Sequence, residues 1–155
     1  MRTMTWRALK YLMAYSLPLS VVVSFRSEGI WAFVPLFYSF GLIPLAELLL
    51  RPDPRNLSAA QAEVVREDPL YDWLLYLLVP IQYGFLFWFL YCVSTADDLL
   101  TILGRVSAMG LLCGVIGINV GHELGHRPQR RIQRLAQLLL ASSLYAHFFV
   151  EHNYG

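Results

Sequence analysis

All four histidines of the chain, His122, His126, His147 and His152, lie in its final part, and none precedes residue 122. Histidine is the common side-chain ligand for transition metals at neutral pH, and histidines scattered over a surface would not gather in this way. His122 and His126 stand in "NVGHELGH". On a helix, spacing of i and i+4 puts two imidazoles on one side, close enough to hold one ion. At about 100° per residue, Asn119 and Glu123 share that face. The second group, "EHNYG", supplies Glu151, His152 and Asn153.

HELGH also satisfies HExxH, in which two histidines hold zinc and the glutamate between them, here Glu123, activates water for peptide hydrolysis. A third ligand is then required. The extended form of the motif needs glycine and histidine where this chain has Gln129 and Ile132, so that form fails. A form with a glutamate ligand could use Glu151, and spacing leaves it open. Five residues alone are a weak signal.

The elements that must position these residues are membrane helices. The 155 residues are 57% hydrophobic and 15% charged, too apolar for an ordinary soluble domain. With a formal charge of +1 and dispersed Lys and Arg, there is no basic field for nucleic acid and no such partner is expected. A helix needs about 20 apolar residues to cross a bilayer. Four stretches qualify, approximately Ala8 to Phe25, Ile30 to Leu50, Trp73 to Val93 and Leu99 to Gly121. Ser27, Glu28 and Gly29 predict a tight turn between the first two. The fold expected is an all-α integral membrane protein, one domain over residues 1–155.

Basic residues cluster before the first stretch (Arg2, Arg7, Lys10), between the second and third (Arg51, Arg55, Arg66) and after the fourth (Arg127, Arg130, Arg131, Arg134). The positive-inside rule puts these loops, and HELGH with them, at the cytoplasmic face. Within the middle loop, Asn56 or Ser58 could cap a short surface helix running to Arg66. Leu135 to Val150 is too short and too polar for a confident span. If it crossed, His152 would emerge opposite His122 and His126. A short interfacial helix keeps the histidines together.

Gly110, Gly114, Gly117, Gly121 and Gly125 align on one face of the fourth helix at 100° per residue, a surface where a neighbouring backbone can approach. Cys92 and Cys113 lie in apolar runs without metal or disulfide spacing and are expected to pack as small hydrophobes. Arg105 and Gln82 fall inside spans. Arg105, a turn or two from Asp97 and Asp98, is expected to snorkel toward the outer interface. The aromatic run Tyr83 to Tyr91 suits a hydrocarbon channel or an interfacial belt.

"GINVGHELGHR", a helix of about twenty residues and "YAHFFVEHNYG", preceded by "DPLYDWLLYLLVPIQY", together resemble the integral-membrane alkane monooxygenases, the alkane hydroxylase branch of the membrane fatty acid desaturase/hydroxylase superfamily. The resemblance implies a non-haem di-iron enzyme that uses O2 to hydroxylate the terminal methyl of an alkane or similar hydrocarbon chain. The site would lie where an apolar substrate enters from membrane lipid. Rubredoxin or a similar electron donor would supply electrons. His122, His126 and His152 match iron-ligand positions. Glu123, Glu151, Asn119 and Asn153 are second-rank candidates for orienting imidazole N–H groups, and His147 is expected to be a hydrogen-bonded structural histidine. A xylene-type or fatty-acyl hydroxylase or desaturase is the nearest relative in chemistry, and an intramembrane zinc protease the rival from another class. The family pattern implies six spans, two more histidines directly after Gly155 and further histidine segments. The chain is therefore expected to be the N-terminal part of a longer protein of the bacterial inner membrane, unable to complete a two-iron site alone.

Overall fold

The computed structural model describes residues 12–50 and 69–154. The surface helix expected between Asn56 and Arg66 lies outside the described residues, as does the start of the first expected span. Among the described residues every regular element is helical, and three helices are long and apolar enough to cross a membrane. The chain is an all-α membrane protein.

Helix α1 (Leu12–Arg26) is the shorter apolar helix. It begins as a 3-10 turn over Leu12–Tyr15 and continues as α-helix. Gly29, at φ 58°, helps reverse the chain into α2 (Gly29–Leu49). This helix changes type along its length, from a 3-10 stretch, Gly29–Phe33, through α to a π turn, Tyr38–Leu42, and back to α. Pro35 and Pro44 give the reason, because each lacks the N–H that a regular helix would donate and crowds the preceding turn. Helix α3 (Pro69–Ser94) loosens at Leu77. Pro80, three residues on, leaves the Tyr76 carbonyl without its helical donor.

Helix α4 (Leu99–Gly125) is capped by Asp98, whose carboxylate accepts from the Thr101 N–H at 2.9 Å and from its hydroxyl at 2.8 Å. It supplies much of the core. Ala108, Met109, Leu112 and Ile116 are buried against Val21 and Phe25 of α1 and Leu78 and Val79 of α3. Phe25 sits among Phe85, Trp88 and Phe89. Part of the aromatic run is thus core packing, while Phe87 and Tyr91 face outward with Trp31, Phe40 and Leu48. So much exposed apolar surface suits a lipid solvent.

The helices alternate in direction. Tyr15 of α1 donates to the Leu74 carbonyl of α3 at one end. At the other, Gly29 N–H donates to Thr101 Oγ1 at 2.7 Å. Arg105 lies at that second end too, but it is buried there instead of reaching the interface. Its guanidinium donates to the carbonyls of Cys92 (2.8 Å) and Ser27 (3.1 Å), not to Asp97 or Asp98. Burial explains this: in an apolar interior the carbonyls left free at the ends of α1 and α3 need a donor, and a guanidinium has several.

The segment after α4 forms two short helices, α5 (Arg130–Ser142) and α6 (His147–Tyr154), instead of one helix over Leu135 to Val150. Leu144 adopts φ 55°. The N–H groups of Tyr145 and Leu144 then return to the carbonyls of Leu140 and Ala141 at 2.9 and 3.0 Å, closing α5 without water. Helix α5 runs antiparallel to α4, with Ala136 near Gly121 and Gly125, and Leu139 and Ser143 near Gly117.

Only the lower half of the glycine stripe makes this contact. A Cβ at Gly110 or Gly114 would meet nothing, whereas one at Gly117 would run into Ser143 and one at Gly121 into Leu140. The cause is the π-helical segment Cys113–Val120. Its i to i+5 bonding winds less angle into each residue, so the face that the expected 100° spacing unites is split.

Candidate metal centre

Helix α4 delivers His122 and His126 on its last turn. Arg127 and Pro128 follow, and the residue before a proline is pushed out of α geometry, which ends the helix there. Gln133 donates to the Arg127 carbonyl at 2.9 Å and so holds the bend between α4 and α5. Helix α6 then returns His152 to the same place. The three Nε2 atoms lie 2.8 Å (126 to 122), 2.9 Å (122 to 152) and 3.2 Å (152 to 126) apart.

Such a triangle is not satisfied by hydrogen bonds among its members. Each Nε2 either carries one proton or presents one lone pair, and no arrangement of protons pairs all three edges. Three lone pairs turned inward would repel unless a cation lay between them. Among the described residues, His122, His126 and His152 are the group able to hold a metal ion. Metal–nitrogen bonds of about 2.1 Å place cis ligands of an octahedron about 3.0 Å apart, and those of a tetrahedron about 3.4 Å apart. The observed edges, 2.8 to 3.2 Å, are of the size that ligands of one shared ion make.

Phe148 braces the cluster. Its ring stacks on His152 (centroids 4.9 Å, 13° between planes) and meets His122 edge-on at 5.6 Å, while Tyr145 stacks on its other side at 5.3 Å. Sequence reading passed over Phe148. The signal was its position one turn before His152, which puts the two rings on one face. Phe149 packs on Gly125 and joins α6 to α4.

The other expected site residues are placed as follows. The Glu123 carboxylate accepts from Arg127 at 3.5 Å, and Arg127 also pairs with Asp72 of α3 at 3.2 Å. Asn119 and Glu151 are exposed. Among the described residues no hydrogen bond joins Glu123, Glu151 or Asn119 to an imidazole. The side chain of Asn153 lies outside the description. His147 stays apart from the three and contacts Tyr145 at 4.7 Å between rings.

No protein-family model matches the chain. Similarity to individual proteins is extensive. Alkane 1-monooxygenase 1 of Alcanivorax borkumensis is 35% identical over 135 residues, which are 86% of this chain and 33% of that protein. Alkane 1-monooxygenase 2 of Pseudomonas aeruginosa is 33% identical over 90% of this chain and 38% of its own length. The alkane 1-monooxygenase of Pseudomonas putida is 31% identical over 82% of this chain and 32% of its own length. The chain spans about a third of the length of these curated relatives. With most of the chain aligned in each case, it belongs to the alkane hydroxylase family.

Proposed function

We propose that this chain is part of a non-haem di-iron alkane 1-monooxygenase, hydroxylating the terminal methyl of an alkane or similar hydrocarbon chain with O2. The observation that carries the reading is the convergence of His122, His126 and His152 from two separate segments. Imidazole suits iron as well as zinc, and the likeness to alkane 1-monooxygenases favours iron. When bound, iron supplies the activation of O2 that an unreactive C–H bond requires. The protein's own part is to aim three neutral imidazoles, to brace two of them with Phe148, and to offer an apolar surround to a substrate with no polar handle. A second iron would need further histidines, as the family pattern implies.

With each Nε2 turned inward, the Nδ1–H groups need acceptors. Glu123, Glu151, Asn119 and Asn153 are the residues proposed for that role, through water, while His147, which lies apart from the three rings, is left a structural part against Tyr145. The membrane is taken to be the bacterial inner membrane with the histidine end at the cytoplasmic face, where the basic loops gather and a rubredoxin-like donor could reach the irons.

The zinc-protease reading needs Glu123 free to activate water, and its pairing with Arg127 weighs against that. Metal analysis and activity of the full-length protein in native membranes test the choice, with NADH, a rubredoxin-type donor, its NADH-dependent reductase and mixed alkanes supplied. The expected result is iron together with 1-alkanol formation that is lost in His126→Ala and kept within about tenfold in Glu123→Gln. Stoichiometric zinc with peptide cleavage abolished by Glu123→Gln would overturn the proposal.

A further inference from the structure

The four arginines after α4 divide into two groups. Arg127 is engaged by Asp72 and Glu123. Arg130, Arg131 and Arg134 are exposed, and among the described residues none has an ion-pair partner. Helix α5, which bears them, is strongly amphipathic. Its inner face, Ala136, Leu139 and Leu140, is buried against the glycines of α4.

Its outer face changes character along the helix. Arg130, Arg134, Leu138 and Ala141 follow at spacings of four, four and three, so they form one stripe, and all are exposed. Leu144 just beyond is 92% exposed. The stripe passes from guanidinium to apolar within about two turns. The direction matches the packing, since the arginines lie beside the end of α4 and the apolar end lies beside Gly117 and Cys113, about three turns further into the bundle.

We infer that Arg130, Arg131 and Arg134 form a binding surface for the phosphodiester headgroups of anionic membrane lipid, with Leu138 and Leu144 against the acyl chains. Charge complementarity selects an anion, and arginine matches phosphate oxygens in a two-pronged geometry. The apolar continuation selects lipid over an acidic protein, because a partner approaching from water would leave Leu138 and Leu144 uncovered. The inference rests on the membrane placement proposed above and is independent of the iron reading.

Electron paramagnetic resonance of the chain in phosphatidylcholine vesicles tests it, using spin-labelled phosphatidylglycerol or phosphatidylcholine as probe. Both leaflets have the same composition, so the result does not depend on orientation. The protein is expected to immobilise phosphatidylglycerol in several-fold preference to phosphatidylcholine. That preference should fall to near parity in Arg130→Gln/Arg131→Gln/Arg134→Gln, since basic residues supply the attraction to an anionic surface. It should fall less in the control Arg2→Gln/Arg7→Gln/Lys10→Gln. The lysine triple at 130, 131 and 134 should keep most of it, which separates lost charge from lost fold. Equal immobilisation of the two lipids by the unaltered protein would overturn the proposal, as would equal losses in the two glutamine triples.

Discussion

The two ends of the helix bundle handle their polar groups in opposite ways. At the end away from the histidines, most polar groups are spent on one another, the buried Arg105 Nε excepted. Arg105 joins the carbonyls of Cys92 and Ser27, Asp98 caps α4 through Thr101, the Thr101 hydroxyl takes the Gly29 N–H, and Ser24 donates to the Ala32 carbonyl at 2.5 Å. At the histidine end three ring nitrogens crowd together with no protein group to reconcile them. The first end resembles a fastening, and the second a site prepared for something the chain does not itself supply. The contrast teaches that clustering of polar residues does not by itself mark function. What marks it is a cluster whose internal bonding cannot close.

Breaking the fastening should have the largest effect on stability. Arg105→Met keeps an unbranched apolar stem and removes two charge-assisted hydrogen bonds from carbonyls that water reaches poorly. A loss of about 3 kcal/mol or more is expected, read as thermal unfolding by circular dichroism in detergent, with metal affinity unchanged. A weakened metal site in that variant would mean the two ends are coupled.

Gly117→Ala strikes between them. The added methyl would collide with Ser143 and displace the turn that carries α6. Overpacking of this kind costs about 1–3 kcal/mol. Because His152 lies beyond that turn, divalent-metal affinity should also drop by about tenfold, the size typical of disturbed support around metal ligands. Stability lost without any change in metal affinity would show that α6 finds its place independently of α5.

The smallest effect belongs to Asp98. Its hydrogen bonds from the Thr101 N–H and hydroxyl hold its carboxyl below the usual carboxylate range. A depressed folded-state value means that its stabilising contribution is present above the ordinary aspartate range and disappears as pH falls through the lowered value. Asp98→Asn should therefore lower the melting temperature slightly at neutral pH and have no effect in strong acid. A constant difference at all pH values would deny the carboxylate its part.

Much of this architecture was legible in the residues. Long apolar runs announce membrane helices because hydrocarbon solvent demands them, and i, i+4 histidines announce a shared face because helical geometry is regular. Where regularity fails, so does the reading. The π segment over Cys113–Val120 has no signature in apolar periodicity, so Gly110 and Gly114 seemed to share the packing face of Gly117. Arg105 looked bound for the outer interface, since carbonyls freed by two other helix ends are visible only once those ends are brought beside it. The break at Leu144 was hidden as well, because a leucine at positive φ is uncommon and the demand for it comes from closing α5. Phe148 carried a helical-spacing signal, overshadowed by the histidines on either side.

On the reading proposed above, one metal ion is gripped jointly by α4 and α6. Titration of the purified protein with Co2+, followed by its visible d–d absorption, tests this most directly. One ion per chain with the weak absorption of a six-coordinate centre is expected, and loss of that binding in His152→Ala as fully as in His126→Ala. Undiminished binding in His152→Ala, or the intense absorption of a tetrahedral site, would contradict it.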